Sequence, residues 1–125
     1  MAGSWTQQAT REGHLYGTLN RPVGLAWKFT ADASDHTIPD QTITDVSGYL
    51  GGVDVEFDGT TPPNSLIVSI KTIGGIVLPG FPATALTASG RIDISPPVWF
   101  AGGLIISCSN NTTNSAKATI VPLVE

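Results

Sequence analysis

Two histidines, one cysteine and ten carboxylates are the side chains of this sequence best suited to chemistry. A hydrolase needs a nucleophile held beside a base. His14 stands in a Gln/Thr/Gly-rich stretch and His36 in the acidic run Ser34-Asp35-His36. Neither belongs to a Gly-x-Ser-x-Gly motif, and no Gly-rich loop ends in Gly-Lys-Ser/Thr, so acyl transfer and nucleotide binding by those routes lack their residues. Soft metals need several Cys or His ligands. Calcium takes hard oxygens, and Asp32, Asp35, Asp40 and Asp45 lie close in sequence, but without the Asp-x-Asp-x-Asp-Gly spacing of a dedicated loop. Short acids in such a stretch more simply accept bonds from nearby backbone N–H groups and make turns.

Asp54 and Glu56 are two apart, as paired glycosidase carboxylates on one strand face would be. Val53, Val55 and Phe57 alternate with them, which buries the opposite face and turns both acids to solvent. Cys108 follows Leu104 and Ile106 at period two and reads as a small buried hydrophobe. The expectation is a protein that is not an enzyme, with no catalytic, cofactor-binding or metal-binding residues. Trp5, Tyr49 and Trp99 remain as aromatics that could stack on sugar rings, which keeps a carbohydrate-binding module and a surface glycan open as alternatives. Trp27 reads as core.

These residues sit in a chain of 125 residues, one domain's worth, with 13% charged residues and a net charge of −4. No basic field exists to draw a nucleic-acid backbone. No apolar run approaches the roughly 20 residues that span a bilayer, so neither nucleic acid nor membrane is an expected partner. The polar start, Met1 to Tyr16, lacks the apolar centre of a signal peptide, and the protein is expected to be soluble and made in the cytoplasm. The sequons at Asn110-Asn111-Thr112-Thr113 then mean only a polar turn.

From Leu25 onward the dominant period is two, and turn residues recur at short intervals. Leu25, Trp27 and Phe29 share one face. Thr42, Ile43 and Val46 make a shorter strand, and Val53, Val55 and Phe57 end at Asp58-Gly59. Leu66, Val68 and Ile70 follow, with Gly74-Gly75 as a two-residue hairpin turn. Ala85–Thr87, Ile92 with Ile94, Val98–Phe100, Leu104–Cys108 and Ala116–Ile120 supply further strands, the last confined by Pro122 to an edge or a late position. No capped helical period occurs. The fold class is all-β: an antiparallel β-sandwich or jelly roll over residues 23–125, with Trp27, Phe29, Val55, Phe57, Val68, Ile70, Ile92, Ile94, Ile106 and Ile120 inside.

Residues 1–22 differ. Trp5, Leu15, Tyr16 and Leu19 are scattered among polar residues with no period that buries a face, and the stretch closes on Asn20-Arg21-Pro22. They read as an extended N-terminal arm whose Trp5, Leu15, Tyr16, Leu19 and Arg21 contact a partner. The alternative is a first strand of the same domain followed by a loose segment.

Trp27-Lys28-Phe29-Thr30-Ala31-Asp32-Ala33-Ser34-Asp35 running to Ile38-Pro39, Thr61-Pro62-Pro63-Asn64-Ser65-Leu66, and Ser109 to Ala116 running into Ala118-Thr119-Ile120-Val121 resemble small β-rich structural proteins of tailed-bacteriophage virions. Together these stretches span most of residues 25–124. The resemblance implies a non-enzymatic virion part. Its first form is a capsid decoration, or cement, protein on the capsid surface that binds the major capsid protein lattice, assembled as a homo-oligomer, a trimer about a local threefold. A tail, baseplate or head-to-tail adaptor component bound to other virion proteins is the alternative. Gly74-Gly75 stands where the group would carry an acidic turn, and the arm has no counterpart.

Overall fold

The computed structural model describes residues 3–8 and 26–124, among which there is no α-helix. The strands are β1 (Ser4–Gln7), β2 (Trp27–Thr30), β3 (Gln41–Thr44), β4 (Gly48–Phe57), β5 (Ile67–Thr72), β6 (Gly90–Phe100), β7 (Gly103–Ser109) and β8 (Lys117–Val124). They form a five-stranded sheet, β1-β2-β8-β4-β6, and a three-stranded sheet, β3-β7-β5. All pairings are antiparallel.

From β2 to β8 each successive strand lies in the sheet opposite its predecessor. Residues 76–86 add a fourth, irregular member to the smaller sheet by running back along β5. Leu78 N donates to Ile70 O (3.0 Å), Ala83 N to Val68 O (3.0 Å), and Leu66 and Leu86 exchange bonds at 2.8 Å. Pro79, Gly80 and Pro82 deny this segment a regular ladder. Four strands then face four, with β1 added outside β2, and the connectivity is that of a jelly roll.

Alternation places the core. In β8 every second residue, Ala118, Ile120, Pro122 and Val124, is buried, and in β5 and β7 Val68, Ile70, Leu104 and Ile106 meet them from the other sheet. Phe29, Val55, Ile94 and Ile120 are buried as expected, whereas Trp27, Phe57 and Ile92 are only partly buried at the margin of the core. Leu50, Leu66 and Phe100 fill the centre instead.

The difference arises in β4. Its register against both β6 and β8 shifts between Leu50 and Gly52, so the inward set changes from Gly48 and Leu50 to Val53 and Val55. Gly52 permits this bulge, because a Cβ there would lie 2.6 Å from the Ile92 carbonyl oxygen. On β6 the same irregularity holds Ser95-Pro96-Pro97 inside one strand rather than dividing two. β6 is an edge, where missing N–H donors are tolerated.

One turn expectation is corrected. The β5 hairpin loop has three residues, Ile73-Gly74-Gly75, closed by Thr72 N to Ile76 O (2.8 Å) and Gly75 N to Thr72 O (2.9 Å). Gly75, at φ 90°, supplies the left-handed residue such a loop needs. β8 is central, so of the two placements open to its proline the late one holds. Pro122 takes a late position there, opposite Val53, beyond Ile120 where the β2 ladder stops.

Candidate functional site

A jelly roll gathers its connections at two ends, and here the ends differ in chemistry. At one end meet the β2–β3 loop (31–40), the β4–β5 loop (58–66) and the β7–β8 loop (110–116). Asn64 and Thr112 exchange two bonds, Asn64 Nδ2 to Thr112 Oγ1 (2.9 Å) and Thr112 N to Asn64 Oδ1 (2.8 Å). Asn110 Nδ2 donates to Ser65 Oγ (2.9 Å), and buried Asn111 donates to the carbonyls of His36 (3.1 Å) and Thr113 (3.0 Å). These amides knit three loops together. A cleft of about 240 Å³ beside them is lined by His36, Thr37, Ile38, Cys108, Ser109, Asn110 and Asn111.

The residues with catalytic or metal-binding chemistry form turns at this end. Asp32 Oδ1 accepts from the backbone N–H of Ser34 (2.7 Å) and Asp35 (3.0 Å). Asp35 Oδ1 accepts from Thr37 N and Oγ1, so Ser34-Asp35-His36 is organised as a turn. Asp40 lies 4.0 Å from Lys71 Nζ, and Asp45 stands at the opposite end, in the β3–β4 turn. Among the described residues no group of three or more His, Cys, Asp or Glu side chains converges on one point. Cys108 is buried, and desolvation, reinforced by the Asp40 charge, pushes its thiol pKa far up. Its thiolate is suppressed accordingly. His14 lies outside the described residues.

Two carboxylates hold this end electrostatically. The N–H groups of Ser34 and then Asp35 keep Asp32 below the usual carboxylate range. Those of Thr61 and Thr60, with the Lys28 ammonium at 3.3 Å, do the same for Asp58. A carboxylate with a depressed folded pKa adds stability above its unfolded pKa of about 3.9 and loses it as pH falls through the folded value. The urea midpoint of the native protein should therefore fall between pH 5 and pH 2. In the Asp32→Asn/Asp58→Asn variant the fall should be shallower, and an equal fall would assign acid sensitivity to other groups.

The other end carries the apolar surface. Here the β3–β4 turn, the β5 hairpin and the β6–β7 turn meet: Asp45 N donates to Gly102 O (3.2 Å) and Gly102 N to Ser47 Oγ (2.9 Å). Among the described residues the large apolar side chains most open to solvent are Tyr49, Ile73, Ile76, Val77 and Trp99. Tyr49 and Trp99 are direct partners across the β4–β6 ladder. They are 50% and 57% exposed, with ring centroids 5.2 Å apart and planes at 64°. Val121 and Leu123 alternate onto the same outer face from β8. Farther along that face Arg91 grips Asp54 through Nε (2.7 Å) and Nη2 (3.2 Å), so Asp54 is an ion-pair partner and Glu56 an exposed neighbour.

Trp5, expected to face a partner, is placed in β1, paired with β2. Its ring meets Phe29 edge-on at 5.3 Å, and its Nε1 donates to the Pro39 carbonyl (2.6 Å). Leu15, Tyr16, Leu19 and Arg21 lie outside the described residues, as does most of the arm expected over 1–22. Sequence reasoning picked out Tyr49 and Trp99 as exposed aromatics but missed Ile73, Ile76 and Val77, which it assigned to strands. The available signal was three β-branched residues set directly around Gly74-Gly75, where a solvated hairpin tip would be polar.

No protein-family model and no curated protein sequence matches this chain.

Proposed function

We propose that this chain is a non-enzymatic virion structural protein of a tailed bacteriophage, a capsid decoration protein that docks on the major capsid protein lattice through the Tyr49–Trp99 end of the jelly roll. The observation that carries the docking role is the exposure of Tyr49, Trp99, Ile73, Ile76 and Val77 at one end, opposite an end whose polar groups bond to one another. Exposed apolar clusters mark interaction surfaces, and Trp and Tyr are the side chains that dominate such contacts. On a repeating lattice many modest contacts combine through avidity. The virion setting rests on the resemblance of stretches within residues 25–124 to small phage structural proteins.

The same aromatic pair supports a second reading, a carbohydrate-binding module. Rings at 64° offer no flat two-ring platform for a sugar chain, and this favours a protein partner. Purified protein added to shells lacking it should bind in hundreds of copies per particle, and Trp99→Ala should lower its affinity at least tenfold with the fold intact by circular dichroism. A few dozen copies or fewer would move the role to tail, baseplate or adaptor. Glycan-array binding abolished by Trp99→Ala or Tyr49→Ala would establish the sugar-binding reading instead.

A further inference from the structure

The edge of β2 is a built seat for one particular segment. Ser4, Trp5, Thr6 and Gln7 pair with Thr30, Phe29, Lys28 and Trp27, and Gln8 N extends the ladder to Ala26 O at 2.8 Å. Trp5 is fixed twice, by the edge of Phe29 and by its bond to Pro39 O. Gly3 fits where no side chain could: a Cβ would lie 2.8 Å from Thr37 O and 2.9 Å from both Pro39 Cδ and Thr30 O. The seat therefore selects glycine and tryptophan two positions apart, whichever chain supplies them.

We propose that in the assembled protein this seat is filled by the Gly3–Gln8 segment of a second copy, so that the chains associate by exchange of β1. The length of the connection points to it. Antiparallel neighbours such as β1 and β2 need only two to five linking residues, yet 17 separate Gln8 from Ala26. Fully extended, 17 residues span about 56 Å, against a radius of gyration of about 14 Å for a domain of this length. The seat of a neighbouring copy is within reach. Exchange keeps every contact of the seat and uses the same residues to cross between copies, a low-cost route to a dimer. Nothing in this exchange depends on what the Tyr49–Trp99 end binds.

Ser4 and Thr30 are register partners on the outer face. Opposed residues of an antiparallel pair lie about 4.5–5.5 Å apart between Cα atoms, within disulfide range. Full-length Ser4→Cys and full-length Thr30→Cys, unfolded together, refolded as a mixture and oxidised, should give a disulfide-linked two-chain species absent from either variant alone. A mixture that stays at single-chain mass overturns the proposal. The unsubstituted chain gives a second reading by sedimentation equilibrium. Exchange predicts the mass of two or more chains, shifted toward one by Trp5→Ala, and single-chain mass at every concentration tested overturns it as well.

Discussion

Phe29→Ala should lower the unfolding free energy by roughly 3 to 5 kcal/mol, the range for truncating a fully buried aromatic. Phe29 has no exposed surface and stands in β2 between Trp5 of β1 and Ala118 of β8. Ala118 is too small to move into the vacated space, so the cavity persists rather than collapses. Trp5 also loses the ring that it meets edge-on, and the β1 seat loosens with the core. Phe57, one of the expected core residues, makes the contrast. It is only partly buried, and Phe57→Ala should cost less than about 2 kcal/mol, since part of its surface is already in water. Urea unfolding of the two variants at pH 7 decides the matter. Equal losses would mean that Phe29 is no more deeply buried than Phe57.

The contrast between these two phenylalanines shows what the sequence made legible. Alternation at Val53/Val55/Phe57 and Leu66/Val68/Ile70 announces strands and their inward faces, because a pleated strand buries every second side chain whatever its partner. Position within the sheet is not written there. Phe57 ends β4, where the sandwich opens toward the polar loops, while Leu50 lies near its start in a run of Gly48, Gly51 and Gly52 too poor in bulk to suggest a strand. The β-bulge beside Leu50 conceals it further, since the shift of one residue breaks the period just where the inward set changes. Ser95-Pro96-Pro97 misleads in the opposite sense: prolines that would end a central strand are carried inside an edge strand whose partner lies on one side only.

At the candidate site the legible part was residue type. Tyr49 and Trp99 are legible as aromatics able to stack on a ligand, but only the β4–β6 register makes them a pair, and the register of residues 50 positions apart is set by packing rather than by local pattern. The acids were read correctly as turn formers at Asp32 and Asp35, for their N–H partners are two and three residues away and local spacing determines them. Trp5 illustrates the limit. Its ring is held by Phe29 and Pro39, 24 and 34 residues farther along, contacts that no window around residue 5 contains.

Gly103→Ala should be the most damaging change of a single methyl group. Gly103 opens β7 at φ 133° and is buried against β3. A Cβ there falls onto the carbonyl oxygen of Ile43 and lies 2.9 Å from Ile73 Cδ1. The backbone value alone carries about 1 to 3 kcal/mol of strain for a non-glycine residue, and overpacking a fixed backbone adds about 1 to 3 more. Ile43 cannot yield cheaply, because it pairs with Leu104 in the β3–β7 ladder and its side chain is in the core. Gly102 separates the two contributions. It too has a positive φ, 81°, but nothing lies within 4 Å of its would-be Cβ, so Gly102→Ala should show the backbone strain alone. Thermal and urea unfolding should rank Gly103→Ala at least about 1 kcal/mol below Gly102→Ala, and parity would mean that the approach of Ile43 to β7 is looser than described. The overlap also reaches outward. Ile73 rests over Gly103 at the base of the exposed hairpin, so in any Gly103→Ala protein that still folds Ile73 must shift, which Gly102→Ala does not require.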